Sequence, residues 1–249
     1  MFTVDHVPLQ LDDHLRRFYR SAKKIDIEIP MSFEELRAMV LDFCRKIDSP
    51  DAMAYVQATR GVGMRGHAYR FAGNTPSLWV WVKPDMLDPM DRSYKAITME
   101  DTRYFHCDIK TINLLPAVIY TQRAEEAGCD ETILHRGDRV TECAHSNVHI
   151  LKDGALKTAP CDNLILPGIT RAHRIAQCRE MGIPVIEEPF TVREMMEADE
   201  VFFTSASALC CRIEEIDGQK VGGRAPELIA RIQKAAWDEA LAEVRQING

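Results

Sequence analysis

The chain has no C-x-x-C pair, no regular cysteine spacing and no apolar run approaching the length of a membrane span. Its eight cysteines, with Cys210 and Cys211 adjacent, therefore read as reduced thiols rather than a disulfide framework or a zinc site. The first residues lack a basic segment followed by an apolar stretch, so neither export nor membrane insertion is expected and a cytoplasmic location is. An excess of positive charge is missing too. A formal net charge of -7 argues against a nucleic-acid binder held by phosphate contacts. Repeats and low-complexity tracts are absent as well. What remains is 249 residues, 46% hydrophobic and 28% charged, enough for one large domain or two ordinary ones facing a small molecule.

The pattern along the chain is mixed. Asp12 is placed to cap a helix whose inward stripe is Leu15, Phe18, Tyr19 and Ala22. Ile25, Ile27 and Ile29 alternate with acids, which predicts a short half-exposed strand. Ser32-x-x-Glu35 is a capping box for a helix carrying Phe33, Leu36, Met39, Val40 and Phe43. Strands are expected over 54–60 and 77–83. The prolines of 84–89 suggest a linker. Beyond it, hairpins are expected around Arg136-Gly137-Asp138 and Asp153-Gly154, and a helix from Ile169 that stops at Gly182. Strands over 200–205 and 211–216 precede an amphipathic helix from Ala225 to Ile247 that packs Leu228, Ile232, Ala236 and Leu241. The expected architecture is α+β: a smaller lobe over 1–85, a linker over 86–94, and a strand-rich lobe over 95–249 that could close into a barrel.

Several side chains could carry chemistry. Lys110 lies between the apolar run of 96–105 and a helix-like run from Ile112, a junction where partial burial would favour a neutral amine able to form a Schiff base. The competing reading is a solvated residue at a helix start. Glu142 is an acid inside an apolar strand, so it must be paired or protonated, and a structural arginine would serve as its partner. Gly168-Ile169-Thr170-Arg171 opens a helix whose amides and threonine hydroxyl could cradle a phosphate, or form an ordinary cap. Arg60, Arg65 and His67 crowd a glycine-rich stretch suited to a small carboxylate, with plain loop chemistry as the competitor.

In order along the chain stand His14-Leu15-x-Arg17, Thr59-Arg60-Gly61, Arg65-x-His67, Asp108-Ile109-Lys110-x-x-Asn113, Thr141-Glu142-x-x-x-Ser146-Asn147-Val148, Gly168-Ile169-Thr170-Arg171 and Thr204-Ser205-x-Ser207. From about Leu11 to Gly222 the sequence so resembles the class IV (fold type IV) aminotransferases, which use pyridoxal 5′-phosphate. Within that family the spacing Arg65-x-His67 resembles the D-amino-acid transaminases, where such a pair holds the substrate carboxylate.

The resemblance implies a two-lobed fold type IV enzyme, with a C-terminal pseudo-barrel lobe, that moves the amino group of D-alanine or a related D-amino acid to a 2-oxo acid. It implies that Lys110 binds the cofactor covalently and moves the proton, and that Glu142 faces the pyridine nitrogen. Arg17, Ile169 and Thr170 would fix the phosphate, with Ser205 and Ser207 adding contacts, although Ala206 lacks the hydroxyl common between them. Arg65 and His67 would clamp the carboxylate, and a homodimer is implied. Alternatives within the family are a branched-chain L-amino-acid aminotransferase and an aminodeoxychorismate-lyase-like enzyme. The family's two opening strands and glycine-rich turn have no counterpart before Asp12, so a cofactor-binding chain without turnover is a further alternative. His145, beside the expected cofactor site, reads as a satisfied core histidine or as a contact tuning substrate choice.

Overall fold

A computed structural model describes residues 1–71 and 75–249, which divide into two compact units. Met1–Leu87 with Ala240–Gly249 makes one, and Asp88–Glu239 the other.

The first unit opens with a hairpin of β1 (Thr3–Val4) and β2 (Val7–Pro8), a pairing the resemblance did not lead one to expect. Asp5 and His6 both take left-handed backbone there, the geometry of a two-residue hairpin turn. Helix α1 (Leu11–Lys24) then starts at Gln10, not at Asp12. Both carboxylate oxygens of Glu243 accept from the Gln10 amide at 2.9 Å, and Asp12, already inside the first turn, instead accepts from Arg37 Nε at 2.6 Å. The expected strand at Ile25, Ile27 and Ile29 does not form. Asp26 turns left-handed and the Ile27 amide folds back onto the Ala22 carbonyl, so this segment finishes the helix.

The capping box at Ser32 and Glu35 does start α2 (Phe33–Lys46), and each partner donates to or accepts from the other's backbone. Its buried stripe is Leu36, Val40 and Cys44, spaced by four, which leaves Phe43 exposed. Strands β3 (Ala52–Thr59) and β4 (Ser77–Pro84) pair antiparallel over their full length, and Ala54 meets Leu11, Leu15, Leu36 and Val40 in this unit's core.

The second unit is one mixed nine-stranded sheet with helices on it. Its strands are β5 (Tyr94–Glu100), β6 (Glu131–Arg136), β7 (Arg139–Cys143), β8 (Asn147–Lys152), β9 (Ala155–Thr158), β10 (Val185–Glu187), β11 (Glu200–Thr204), β12 (Cys211–Ile216) and β13 (Gln219–Lys220). The spatial order is β10-β9-β8-β11-β12-β5-β6-β7, with β13 beside β12. The far ends meet: Arg139 bridges Thr191, and the Val140 amide donates to the Phe190 carbonyl at 2.9 Å. The sheet thus curls into a pseudo-barrel around Ile133, Val148, Ile150, Phe203 and Ile213.

Parallel neighbours need crossovers, and helices supply them. Helix α3 (Leu115–Glu126) links β5 to β6, and α4 (Ile169–Glu180) lies between β9 and β10. Left-handed Gly182 ends α4, with the Ile183 amide returning to the Cys178 carbonyl. Asp153 and Gly154, both left-handed, make the tight β8–β9 turn. After α5 (Val192–Met196), helix α6 (Pro226–Asn248) buries Ile229, Ile232, Ala236, Ala240 and Val244, whereas Leu228 and Leu241 lie half-exposed on its flanks. All eight cysteines are free, and no helix among the described residues is long and apolar enough to cross a membrane.

Candidate active site

Glu142 sits on β7 with its carboxyl buried, and it does have an arginine partner. Arg103 Nη1 lies 2.5 Å from Glu142 Oε1, while Oε2 accepts from Asn147 Nδ2 at 2.9 Å and from the Leu166 amide at 3.0 Å. Burial raises the Glu142 pKa to about 7, against the opposing charge and hydrogen bond of Arg103, the Leu166 amide and the nearby charge of Lys110. A carboxyl so poised can hold or release a proton near neutrality.

The other side of the Arg103 fork belongs to Asp101. Nε and Nη2 donate to its two oxygens, each at 2.9 Å, in bidentate geometry. Burial pushes Asp101 upward, but hydrogen bonds and charge from Arg103, with help from Arg136, hold it below the usual carboxylate range. Burial likewise disfavours the Arg103 cation, yet Asp101 and Glu142 outweigh this and raise its pKa.

Below Glu142 the chain approaches the start of α4 closely. Asn147 Nδ2 also donates to the Leu166 carbonyl at 3.0 Å, and a Cβ added at Gly168 would fall 2.0 Å from Asn147 Oδ1. Any side chain at position 168 would force Asn147 to move. No side chain caps α4 at Gly168, so the helix start presents backbone N–H groups at Ile169 and Thr170, the arrangement that suits an anion. Thr170 Oγ1 donates to the Ser205 carbonyl at 2.7 Å. Ser205 Oγ in turn accepts from the Ser207 and Ala208 amides, and Ser207 Oγ donates to Asp88 Oδ2 at 2.6 Å. The structure therefore brings Ile169, Thr170, Ser205 and Ser207 together.

Lys110 is exposed, not half-buried. The reason is that α3 begins at Leu115 rather than near Ile112, which leaves Lys110 in the preceding loop and not at a packed junction. Its charge nonetheless acts on Glu142. The remaining expected site residues lie in the first unit. Arg17 is buried on α1, and Arg65 and His67 are exposed in the irregular segment after β3. Arg60 is tied elsewhere, donating to the Asp26 carbonyl at 2.8 Å and stacking on Tyr69. His145 is exposed beside Glu131 at 3.6 Å and is not a core histidine.

Sequence reasoning missed Arg103, Asp101 and His149. An acid two residues before an arginine is a faint signal for the fork that forms here, but nothing local links Arg103 to a carboxylate 39 residues away. His149 is fully buried on β8, stacks on Phe202 and bonds Thr204 Oγ1 through Nε2 at 2.9 Å.

Known proteins resemble the chain in sequence and fold. A family model described as "Amino-transferase class IV" matches residues 1–216. The chain is 38% identical over 236 residues to a D-alanine aminotransferase of Bacillus licheniformis, covering 94% of this chain and 83% of that protein. It is 41% identical over 223 residues to one of Listeria monocytogenes serotype 1/2a, covering 86% of this chain and 76% of that protein. Among solved structures, the Escherichia coli branched-chain amino acid aminotransferase superposes with a TM-score of 0.82 at 25% identity, covering 95% of this chain and 82% of that one. A putative 4-amino-4-deoxychorismate lyase from Legionella pneumophila shares the fold, with a TM-score of 0.87 at 21% identity over 96% of this chain and 88% of that one. On sequence and fold together, the chain belongs to the class IV aminotransferases.

Proposed function

We propose that this protein is a D-amino-acid transaminase working with pyridoxal 5′-phosphate, taking an amino group from D-alanine or a related D-amino acid and giving it to a 2-oxo acid such as pyruvate or 2-oxoglutarate. The observation that carries the reading is Glu142: a sealed carboxyl with a pKa near 7, beside the charge of Lys110. The D-alanine aminotransferases at 38% and 41% identity support the D-amino-acid class.

The residues present suit the cofactor. A buried carboxyl that can ionise near neutral pH fits a protonated pyridine nitrogen, and an uncapped helix start behind the close approach at Gly168 fits a phosphate. When bound, pyridoxal phosphate supplies an electron sink for the substrate Cα. Lys110 is the residue to hold it covalently and, once released, to carry the proton to and from Cα. Glu142 would keep the ring nitrogen protonated. Arg17, the Ile169 and Thr170 amides and the Thr170 hydroxyl would bind the phosphate, with Ser205 and Ser207 shaping the same cup. Arg65 and His67 would grip the substrate carboxylate and so fix which face of Cα is presented. Transfer from one partner to the other at a single site implies ping-pong kinetics, and a homodimer is the proposed assembly.

A coupled assay of amino transfer to 2-oxoglutarate tests the substrate class. D-alanine should turn over and L-leucine should not. Turnover of L-leucine with D-alanine inert would replace this reading by a branched-chain one.

A further inference from the structure

We propose that Asp101 is a positioning residue that sets how firmly Glu142 keeps its proton, by aiming and half-neutralising the guanidinium that the two carboxylates share. The inference rests on the reading of Glu142 as the ring-nitrogen partner, and it concerns a residue with no assigned role.

Geometry carries it. The Asp101 side chain has no solvent exposure, and it engages Nε and Nη2 of Arg103 as a fork at 2.9 Å each. The Arg103 amide donates to the same carboxylate at 3.0 Å, and Nη2 also reaches the Leu164 carbonyl at 3.0 Å. With those donors committed, Nη1 is directed at Glu142. Asp101 is itself fixed by Thr141 Oγ1 at 3.0 Å and by Arg136 Nε at 3.2 Å. Thr141 is the neighbour of Glu142 on β7, so the two carboxylates are coupled through the strand as well as through Arg103.

Charge gives the sign. Arg103 and Lys110 face Glu142 from the segment ahead of α3, and the thiols Cys107, Cys143 and Cys161, each pushed up by burial, feel its charge. Asp101 is faced by Arg103, Arg136 and the Thr141 hydroxyl. A lone Arg103 would strip the proton from Glu142, but a second carboxylate on the same cation offsets part of that pull. Loss of the Asp101 charge should therefore make every nearby group easier to deprotonate. Loss of the Arg136 charge should do the opposite.

The test uses the full chain loaded with pyridoxal 5′-phosphate and follows the pH midpoint of its visible absorbance, together with the cofactor dissociation constant. Lys110→Ala serves as the reference that lacks the lysine-held band. Asp101→Asn should lower the midpoint by about one pH unit. Arg136→Gln should raise it. Thr141→Val removes a hydrogen bond to Asp101 but no charge, and should leave the midpoint in place even where it weakens the fold. An unmoved midpoint in Asp101→Asn, or an equal shift in Thr141→Val, overturns the proposal. If Asp101→Asn does not fold, an unmoved midpoint in Arg136→Gln overturns it instead. A wild-type protein without a lysine-dependent band removes the cofactor reading and this inference together, whereas a normal band with unmoved midpoints removes this inference alone.

Discussion

Arg103 and Glu142 meet at 2.5 Å in a place where each side chain is almost sealed from water, at 11% and 7% exposure. Breaking a buried pair leaves a carboxyl that must be either unpaired or protonated, and the loss from removing one partner runs to about 3 kcal/mol. Arg103→Met keeps bulk and removes the charge. Urea unfolding at pH 8 should show destabilisation of about 3 kcal/mol, and a loss below about 1 kcal/mol would mean that the pair contributes little.

Glu142 also fixes a direction of pH dependence for the cofactor-free protein. Its folded pKa of about 7 lies above the ordinary 4.5, so its contribution is fully present below about pH 4.5 and is lost as pH rises through 7. The advantage of Glu142→Gln over wild type should grow by about 3 kcal/mol between pH 4 and pH 8. A difference that stays flat across that range would show that folding leaves the carboxyl's pKa where it is in the unfolded chain.

His149 acts in the opposite sense. Burial, reinforced by Arg171 and Arg174, lowers its pKa well below 6.5, so the folded protein holds it neutral. Stability from this group is present above pH 6.5 and is lost as pH falls below it, when the unfolded chain takes up a proton that the folded chain refuses. His149→Phe keeps the ring stacked on Phe202 but cannot bond Thr204. Its unfolding free energy should fall less steeply than that of wild type between pH 6.5 and pH 5; an unchanged slope would contradict a neutral buried imidazole.

Gly168 tests the approach of β8 to the start of α4. Gly168→Ala drives a methyl into Asn147 Oδ1, and Asn147 must then release Glu142 or the Leu166 carbonyl. We expect a loss of about 1–3 kcal/mol in thermal unfolding and cofactor binding weakened by about tenfold in equilibrium dialysis. Wild-type behaviour in both would show that the loop yields without cost.

Where signals were local, the sequence was readable. Ser32 and Glu35 mark a helix start by themselves, and Asp153-Gly154 marks a hairpin, because each device is complete within four residues. The isoleucines at 25, 27 and 29 misled for the reverse reason: alternation indicates a strand only if a partner strand exists, and here the backbone turns back on α1. Likewise Asp12 looked like a cap, but Glu243, more than 200 residues away, holds the Gln10 amide and moves the start upstream. Within the candidate site, Glu142 and Thr170 stood out from their settings. Arg103 did not, since its importance lies in two carboxylates that only the fold assembles around it.

The most direct measurement is the visible absorbance of the purified protein with pyridoxal 5′-phosphate, recorded before and after adding D-alanine or L-alanine. The account predicts a band that Lys110→Ala lacks and that D-alanine, but not L-alanine, bleaches. A band retained in Lys110→Ala, or bleached equally by both enantiomers, would contradict it.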